Sequence, residues 1–426
     1  MRRVCPVLLL AIVSAGAFGS SGCTLIANVV GSEKREVYKF EHSFTVADPA
    51  FRRSLDAFGT AMVAGNTAEL LKNGDEIFPA MTKAIREAQK TVNLETYIFQ
   101  PDEAGKQFAD AMIEAAGRGV EVRLLIDAWG SKLGDLQDGL EKAGVRWRKY
   151  RPLRLFTIYK VGRRTHRKIL VVDGKVAFTG GLGISKQWLG NARNPQEWRD
   201  TQVRITGPAV DQMQSIFAED WTYTTGEILA GEKFYPRRDG AGGKVEAQAI
   251  KISLGDASSL AKMLYYVAIK AAAKSIYIQN AYFLPDRQVR DALVEAVQRG
   301  VEVKVMVPGK HIDIPIVRSA SWMHYRDLLK NGVKIYEYKH TMLHNKTMVV
   351  DGLFSTIGSI NFDARSMNRN AEESMAFYDR GFAQMMEAMF KEDLERCKEI
   401  TYAQWDHRGL VKRLSELFFW IWEPYY

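Results

Sequence analysis

The stretch HRKILVVDG at 166–174 returns as HNKTMVVDG at 344–352. A chain that spells one hydrophobic strand twice, each time opening on a histidine and a lysine two residues apart, must fold as two related halves. The correspondence runs well beyond these nine residues. PAMTKAIREAQKTVNLETYIFQPD, ending at Asp102, answers LYYVAIKAAAKSIYIQNAYFLPD, ending at Asp286; each reads as a helix, a strand and then aromatics before Pro-Asp. AAGRGVEVRLLID answers AVQRGVEVKVMVP, and KAGVRWRKY answers KNGVKIYEY, each a helix stopped by glycine and followed by a strand. The histidine-bearing strand comes next in both halves, and its closing Asp-Gly reads as a hairpin turn into a further strand.

Helices alternating with Val/Ile-rich strands predict an α/β fold of two similar lobes. Each lobe is expected to be a mixed, mainly parallel sheet flanked by helices, and the lobes are expected to pack about a pseudo-twofold axis. The 426 residues suffice for about two domains. The expected boundaries are 45–222 for the first lobe and 246–400 for the second. Between them lies a linker, 223–245, where glycines and charges interrupt the apolar pattern. The last segment, 401–426, ends in LVKRLSELFFWIWEPYY, an amphipathic aromatic tail that suits a membrane interface or docking on the protein itself.

The opening MRRVCPVLLLAIVSAGAFGSSGC has two arginines, a short apolar run and small residues, the pattern of an export signal over 1–23. Ala15 and Ala17 offer one processing point. Gly22-Cys23 offers another, of the kind that precedes a lipidated cysteine, with Cys23 as the lipidation site. An uncleaved N-terminal anchor is the competing reading. The other cysteines, Cys5 and Cys397, make neither a disulfide framework nor a metal knot. A net charge of +9 favours anionic partners. The segment RWRKYRPLRLFTIYKVGRRTHRK, just before the first motif, is a basic rim suited to an acidic bilayer or a nucleic-acid backbone.

Residues two apart on a strand share a face, so His166 sits beside Lys168 and His344 beside Lys346. Two such pairs facing one another suit a phosphodiester: one imidazole attacks phosphorus, the other manages the proton, and the lysines hold the equatorial oxygens. That chemistry needs no metal or other cofactor. His42, His311, His324, His340 and His407 show no metal-ligand spacing.

The doubled HxKxxxxD motif, with Gly180-Gly181 after the first copy and GSINFDARSMNRNAEES after the second, resembles the phospholipase D superfamily. NLETYIFQPDEAG, WRDTQVRITGPAV, FAEDW, NAYFLPD and LLKNGVKIYEY resemble its bacterial cardiolipin synthase branch. The resemblance implies a two-step transfer through a phosphohistidine. It makes His166, Lys168, Asp173, His344, Lys346 and Asp351 the candidate catalytic set, the two aspartates read mainly as architectural because they close the strand into its turn. It gives Ser359 and Asn361 a phosphate-binding role and Glu372 the task of orienting a histidine. In the first half Gly181 stands opposite Ser359 and Gly183 opposite Asn361. Asp200 stands opposite Glu372, and is read here as the carboxylate partner of His166.

The expected function is phosphatidyl transfer between two phosphatidylglycerol molecules, forming cardiolipin; hydrolysis of phospholipids is the alternative, and a nuclease the remoter one. Expected partners are anionic phospholipids and a membrane surface, with no nucleic acid. Both motifs lie in one chain, so a monomer is sufficient in principle. The expected location is a bacterial membrane, with export and anchoring at Cys23.

Overall fold

The two Asp-Gly dipeptides adopt the turn their sequence demands. Asp173 and Gly174 have φ of 54° and 62°, and Asp351 and Gly352 have 54° and 60°. Two consecutive positive values make a type I′ turn, which joins neighbouring antiparallel strands. The computed structural model describes residues 38–41, 43–152, 163–238, 242–253 and 260–409. The export segment 1–23 with Cys23, the middle of the basic rim (153–162) and the tail from 410 onward lie outside the described residues. Tyr38–Phe40 belong to a separate N-terminal unit and have no regular secondary structure, whereas the chain from Glu41 onward is one compact unit.

The first half supplies β1 (Val63–Lys72), β2 (Thr91–Thr96), β3 (Glu121–Asp127), β4 (Arg146–Tyr150), β5 (Lys168–Val172), β6 (Val176–Gly180) and β7 (Thr201–Thr206). The second supplies β8 (Val245–Ile252), β9 (Ser275–Asn280), β10 (Glu302–Pro308), β11 (Lys334–Tyr338), β12 (Lys346–Val350), β13 (Phe354–Gly358), β14 (Glu372–Tyr378) and β15 (Cys397–Ile400). All belong to one sheet, with β1 and β8 antiparallel at its centre. Read outward from that junction, one side runs β7, β6, β5, β2, β3, β4 and the other β14, β13, β12, β9, β10, β11, with β15 at the far edge. Matching order about an antiparallel pair is the signature of the expected pseudo-twofold.

The sheet is mixed, but the expectation that it is mainly parallel needs correction. Among the described strands only β2–β3–β4 and β9–β10–β11 pair in parallel; every other ladder between them is antiparallel. The reason is local. A two-residue turn can only return the chain antiparallel, so β5–β6 and β12–β13 are hairpins, and β7 and β14 continue the same sense.

The Pro-Asp repeats prove to be helix starts. Asp102 accepts hydrogen bonds from the N–H groups of Ala104 and Gly105 and caps Glu103–Gly117; Asp286 accepts from Val289 and caps Arg287–Gln298. One apolar cluster draws Ile169, Val171 and Val203 from the first half and Val349, Ile357 and Met375 from the second. Each such side chain contributes about 1.5–3 kcal/mol on burial, so parting the halves would expose a shared core. The segment 223–245 joins in, burying Leu229 and Phe234 against it.

Candidate active site

Two short backbone bridges put the site together. Thr165 pairs with Ala371, and Arg199 pairs with Leu343, both across the halves. The His166 N–H donates to the Ala371 carbonyl (2.8 Å), and the His344 N–H to the Arg199 carbonyl (2.7 Å). Each histidine therefore lies beside the carboxylate that opens the other half's strand. His166 Nδ1 is 2.9 Å from Glu372 Oε2, and His344 Nδ1 is 2.8 Å from Asp200 Oδ2. The expected pairing of Asp200 with His166 is thus corrected: the alignment of Asp200 with Glu372 holds, but partners are exchanged. Within its own half β7 lies two strands from β5, about 10 Å away, beyond hydrogen-bond reach.

With Nδ1 tied to a carboxylate, each imidazole is oriented with Nε2 available for chemistry. Lys168 and Lys346 each donate from Nζ to the carbonyl of the motif's own histidine at 2.6 Å. The surroundings of the rings differ. Tyr97 meets the His166 ring edge-on at 5.1 Å between centroids, whereas Trp188 and Trp198 pack on His344 at 5.2 and 5.5 Å. Lys346 Nζ also approaches the His344 ring, 3.1 Å from Nε2.

Burial in this site shifts its titrations. It depresses His166 to about 4, the neighbouring Lys168 adding to the effect and Glu372 resisting it. Burial and Lys346 together bring His344 to about 3. Lys346 falls to about 7 through burial, with Lys168 adding repulsion. Burial alone would raise Asp200 and Glu372, but the adjacent histidine and lysine more than offset it and hold both below the usual range. Before substrate arrives, both rings are neutral at pH 7. An entering phosphodiester anion would offset the lysines and draw in the proton that an acid catalyst needs.

The two carboxylates are braced differently. Glu372 accepts from Ser359 Oγ (2.5 Å), Ser366 Oγ (2.6 Å) and Asn370 Nδ2 (3.2 Å). Ser359 is fully buried and lies outside the cavity lining, so its expected place on the substrate is corrected to a place behind Glu372. Asp200 accepts from Trp188 Nε1 and the Thr201 N–H, each at 2.8 Å. Glycine at 181 is required there: a Cβ would stand 2.3 Å from Asp200 Oδ1. The tryptophan takes over the serine's task from the other side. Arg199, bonded through Nε and Nη2 to the second half's Asp393 at 2.8–3.1 Å, also donates to the Asp200 carbonyl.

Asp173 and Asp351 are not in the reacting site. Asp173 accepts from the N–H groups of Gln89, Lys90 and Thr91, and Asp351 from those of Ala273, Lys274 and Ser275, at 2.7–2.9 Å. They pin the helix-to-strand joint at the far end of each motif strand. Asn361 does reach the cavity, which encloses about 300 Å³ and is walled by His166, Lys168 and His344 together with residues the sequence reading did not single out. Those are chiefly Tyr97, Arg164, Trp198, Tyr282, Asp313, Asp363, Arg365 and Asn370. Asp363, Arg365 and Asn370 sit within the quoted GSINFDARSMNRNAEES, so their proximity to the motif was the available signal. Tyr282, one of the repeated aromatics before Pro-Asp, is joined by a 2.7 Å hydrogen bond to Asp313, which no repeat marked. Among the described residues no group of His, Cys, Asp and Glu is arranged to hold a metal.

Two histidine–lysine pairs brought to one site by a pseudo-twofold define a protein of the phospholipase D type. The family described as cardiolipin synthase, PLD-like domain, matches residues 81–221 and 265–394, and the chain belongs to it. Among its relatives, probable cardiolipin synthase YwiE of Bacillus subtilis (strain 168) is 36% identical over 359 residues, spanning 82% of this chain and 70% of that protein. Cardiolipin synthase of Geobacillus thermodenitrificans (strain NG80-2) is 38% identical over 361 residues, spanning 83% and 71%. Phosphatidylserine synthase of Haemophilus influenzae Rd KW20 superposes with a TM-score of 0.68 over 87% of this chain and 97% of its own. At 14% identity that likeness speaks for the fold.

Proposed function

We infer that this enzyme is a phosphatidyltransferase that makes cardiolipin from two molecules of phosphatidylglycerol. The observation that carries the reading is the exchange of carboxylates between halves, which leaves two oriented imidazoles and the Lys168 ammonium around one cavity, with the Lys346 ammonium beside the His344 ring. In the first step an imidazole Nε2 attacks phosphorus and the P–O bond to the headgroup glycerol breaks. The second imidazole, protonated once the anion is bound, passes its proton to the leaving oxygen. In the second step that imidazole takes the proton of an incoming glycerol hydroxyl. The new P–O bond forms, the P–N bond breaks and the first histidine is regenerated. Lys168 and Lys346 stabilise the equatorial oxygens throughout.

His166 is assigned as the nucleophile. Its Nδ1 is held by a thrice-braced glutamate and its ring lines the cavity. His344 Nε2, by contrast, has the Lys346 ammonium beside it, which suits a group that exchanges protons. The working partner is an anionic phospholipid surface. No helix among the described residues is long and apolar enough to cross a membrane, so attachment falls to the N-terminal segment, with lipid at Cys23, and to the aromatic tail.

The test is a vesicle assay with phosphatidylglycerol, products resolved by mass spectrometry. Cardiolipin is expected from the intact protein and from neither His166→Ala nor His344→Ala. A covalent phosphatidyl adduct trapped by acid quench is expected on His166. Phosphatidic acid as the only product would replace transfer by hydrolysis, and an adduct on His344 would reverse the assignment.

A further inference from the structure

One wall of the cavity carries acceptors that a phosphodiester cannot satisfy. A phosphodiester anion offers acceptor oxygens only, and the histidines and lysines answer that need. The segment between β13 and β14 adds buried acceptors beside the Arg365 guanidinium, which also lines the cavity. Asp363, 8% exposed, uses one oxygen to cap the Ser366 N–H at 2.7 Å, and the residue lines the cavity. Asn361 and Asn370, 3% and 7% exposed, line the same cavity, and the Oδ1 of each is buried without a hydrogen-bond partner. A phosphodiester held by the histidines and Lys168 brings no donor to the Asp363 carboxylate or to these amide oxygens, and would leave buried acceptors unmet. A group carrying several O–H donors satisfies them.

The pseudo-twofold sharpens the point, because the first half has nothing equivalent. Gly183 stands where the second half has Asn361, and a Cβ there would press on Trp188. Ser185, the counterpart of Asp363, turns its hydroxyl to Asp102. That side of the cavity is closed by Trp198, packed on Trp188. One half has thus kept an acceptor-rich wall while the other carries an aromatic one.

We propose that Asp363, with Asn370, forms a hydroxyl-recognising subsite that holds the glycerol headgroup beside the reacting phosphorus. Asp363 is a specificity residue in this account: it binds hydroxyls of the polyol that leaves in the first step and of the polyol that enters in the second. The proposal rests on the phosphatidyl-transfer reading. Burial raises Asp363 to about 6, so it remains largely ionised at pH 7 and accepts strongly from hydroxyl groups.

The experiment lets two acceptors compete for one covalent intermediate. Phosphatidylglycerol vesicles are supplied with isotopically labelled glycerol and ethanol, and the ratio of labelled phosphatidylglycerol to phosphatidylethanol is measured by mass spectrometry. Donor binding cancels from that ratio. Attack by free glycerol also reverses the first step, so one reading reports on leaving and entering headgroups alike. Asp363→Ser retains a helix-capping side chain, and it is expected to lower the ratio about tenfold, the value of a charged hydrogen bond. Asp363→Asn keeps the shape as well as a cap and is expected to lower it severalfold. An unchanged ratio in both variants overturns the subsite. Failure of the unaltered protein to form any lipid product would instead defeat the transferase reading on which it rests.

Discussion

The two halves repeat each other strand for strand outward from β1 and β8, β15 apart, yet they brace the carboxylates bonded to their histidines by different means. Glu372 is held by two hydroxyls and an amide from its own half; Asp200 is held by a tryptophan indole and a backbone N–H, with Arg199 tied across to Asp393 behind it. The difference shows what a duplicated site has to keep and what it is free to change. The geometry at each imidazole, carboxylate at Nδ1 and lysine at the carbonyl, is the same on both sides. The surroundings, which decide proton affinity and what may approach, have diverged. Reaction at phosphorus is itself unsymmetrical, with one nitrogen forming a bond while the other moves a proton, so diverged surroundings serve it.

The severest way to break the comparison is to remove the charge from each carboxylate in turn. Glu372→Gln and Asp200→Asn are each expected to lower turnover about 100- to 10,000-fold, as loss of a histidine-orienting carboxylate does in other hydrolytic and transfer sites. Initial rates of lipid product formation test this, with circular dichroism to establish that the variants are folded. Rates within threefold of the unaltered enzyme would mean that the carboxylates do not orient the rings.

Asp173 and Asp351 are expected to separate stability from chemistry. Each carboxylate accepts from three backbone N–H groups, so Asp173→Ala or Asp351→Ala should cost about 2–4 kcal/mol of stability. The folded fraction should keep its specific activity. Denaturant unfolding beside activity at low temperature distinguishes this from a catalytic role, which would lower the rate of fully folded enzyme.

The bracing groups should show the asymmetry at smaller scale. Trp188→Phe removes the indole donor to Asp200, and Ser359→Ala removes the hydroxyl donor to Glu372; each is expected to reduce turnover about tenfold. They should act on different steps. Ser359→Ala should slow adduct formation on His166, and Trp188→Phe should slow the steps that need proton transfer at His344, as rapid-quench kinetics can read.

The mildest effect is with pH. Lys346, lowered to about 7, loses its charge as pH rises through that value, while His166 and His344, lowered to about 4 and 3, are already neutral above pH 5. Catalytic efficiency should therefore decline as pH rises above about 5, because the acid's proton is taken up with the substrate, and decline more steeply above pH 7 as Lys346 loses its charge. A rise through pH 7–8 would contradict this ordering of charges.

Much of this was legible in the sequence because duplication doubled the signal. The repeated HxKxxxxD strand gave the halves, the motif residues and the Asp-Gly hairpins, and register alone matched Asp200 with Glu372. Sequence order could not give the exchange of partners, since the bridges at Thr165–Ala371 and Arg199–Leu343 join residues far apart in the chain. The excess of antiparallel ladders was implicit in the hairpins, but the buried Val/Ile runs looked like parallel strands because they are covered on both faces. Asp313 reaches the cavity from a connection that carries no repeated motif, so nothing local marked it, whereas Tyr282 sits among the repeated aromatics before Pro-Asp. Ser359 was visible as a residue of the site, though not that it acts through Glu372.

The claim on which the account depends is that each histidine is oriented by the opposite half. Its most direct test is side-chain NMR of ¹⁵N-histidine-labelled protein, with His166 and His344 assigned from their substitutions, in the Glu372→Gln and Asp200→Asn backgrounds. The account predicts that Glu372→Gln shifts the His166 ring nitrogens and leaves those of His344 nearly in place, and that Asp200→Asn does the reverse. If Asp200→Asn instead moved His166 while His344 followed Glu372, the halves would each be self-contained and the exchange would be wrong.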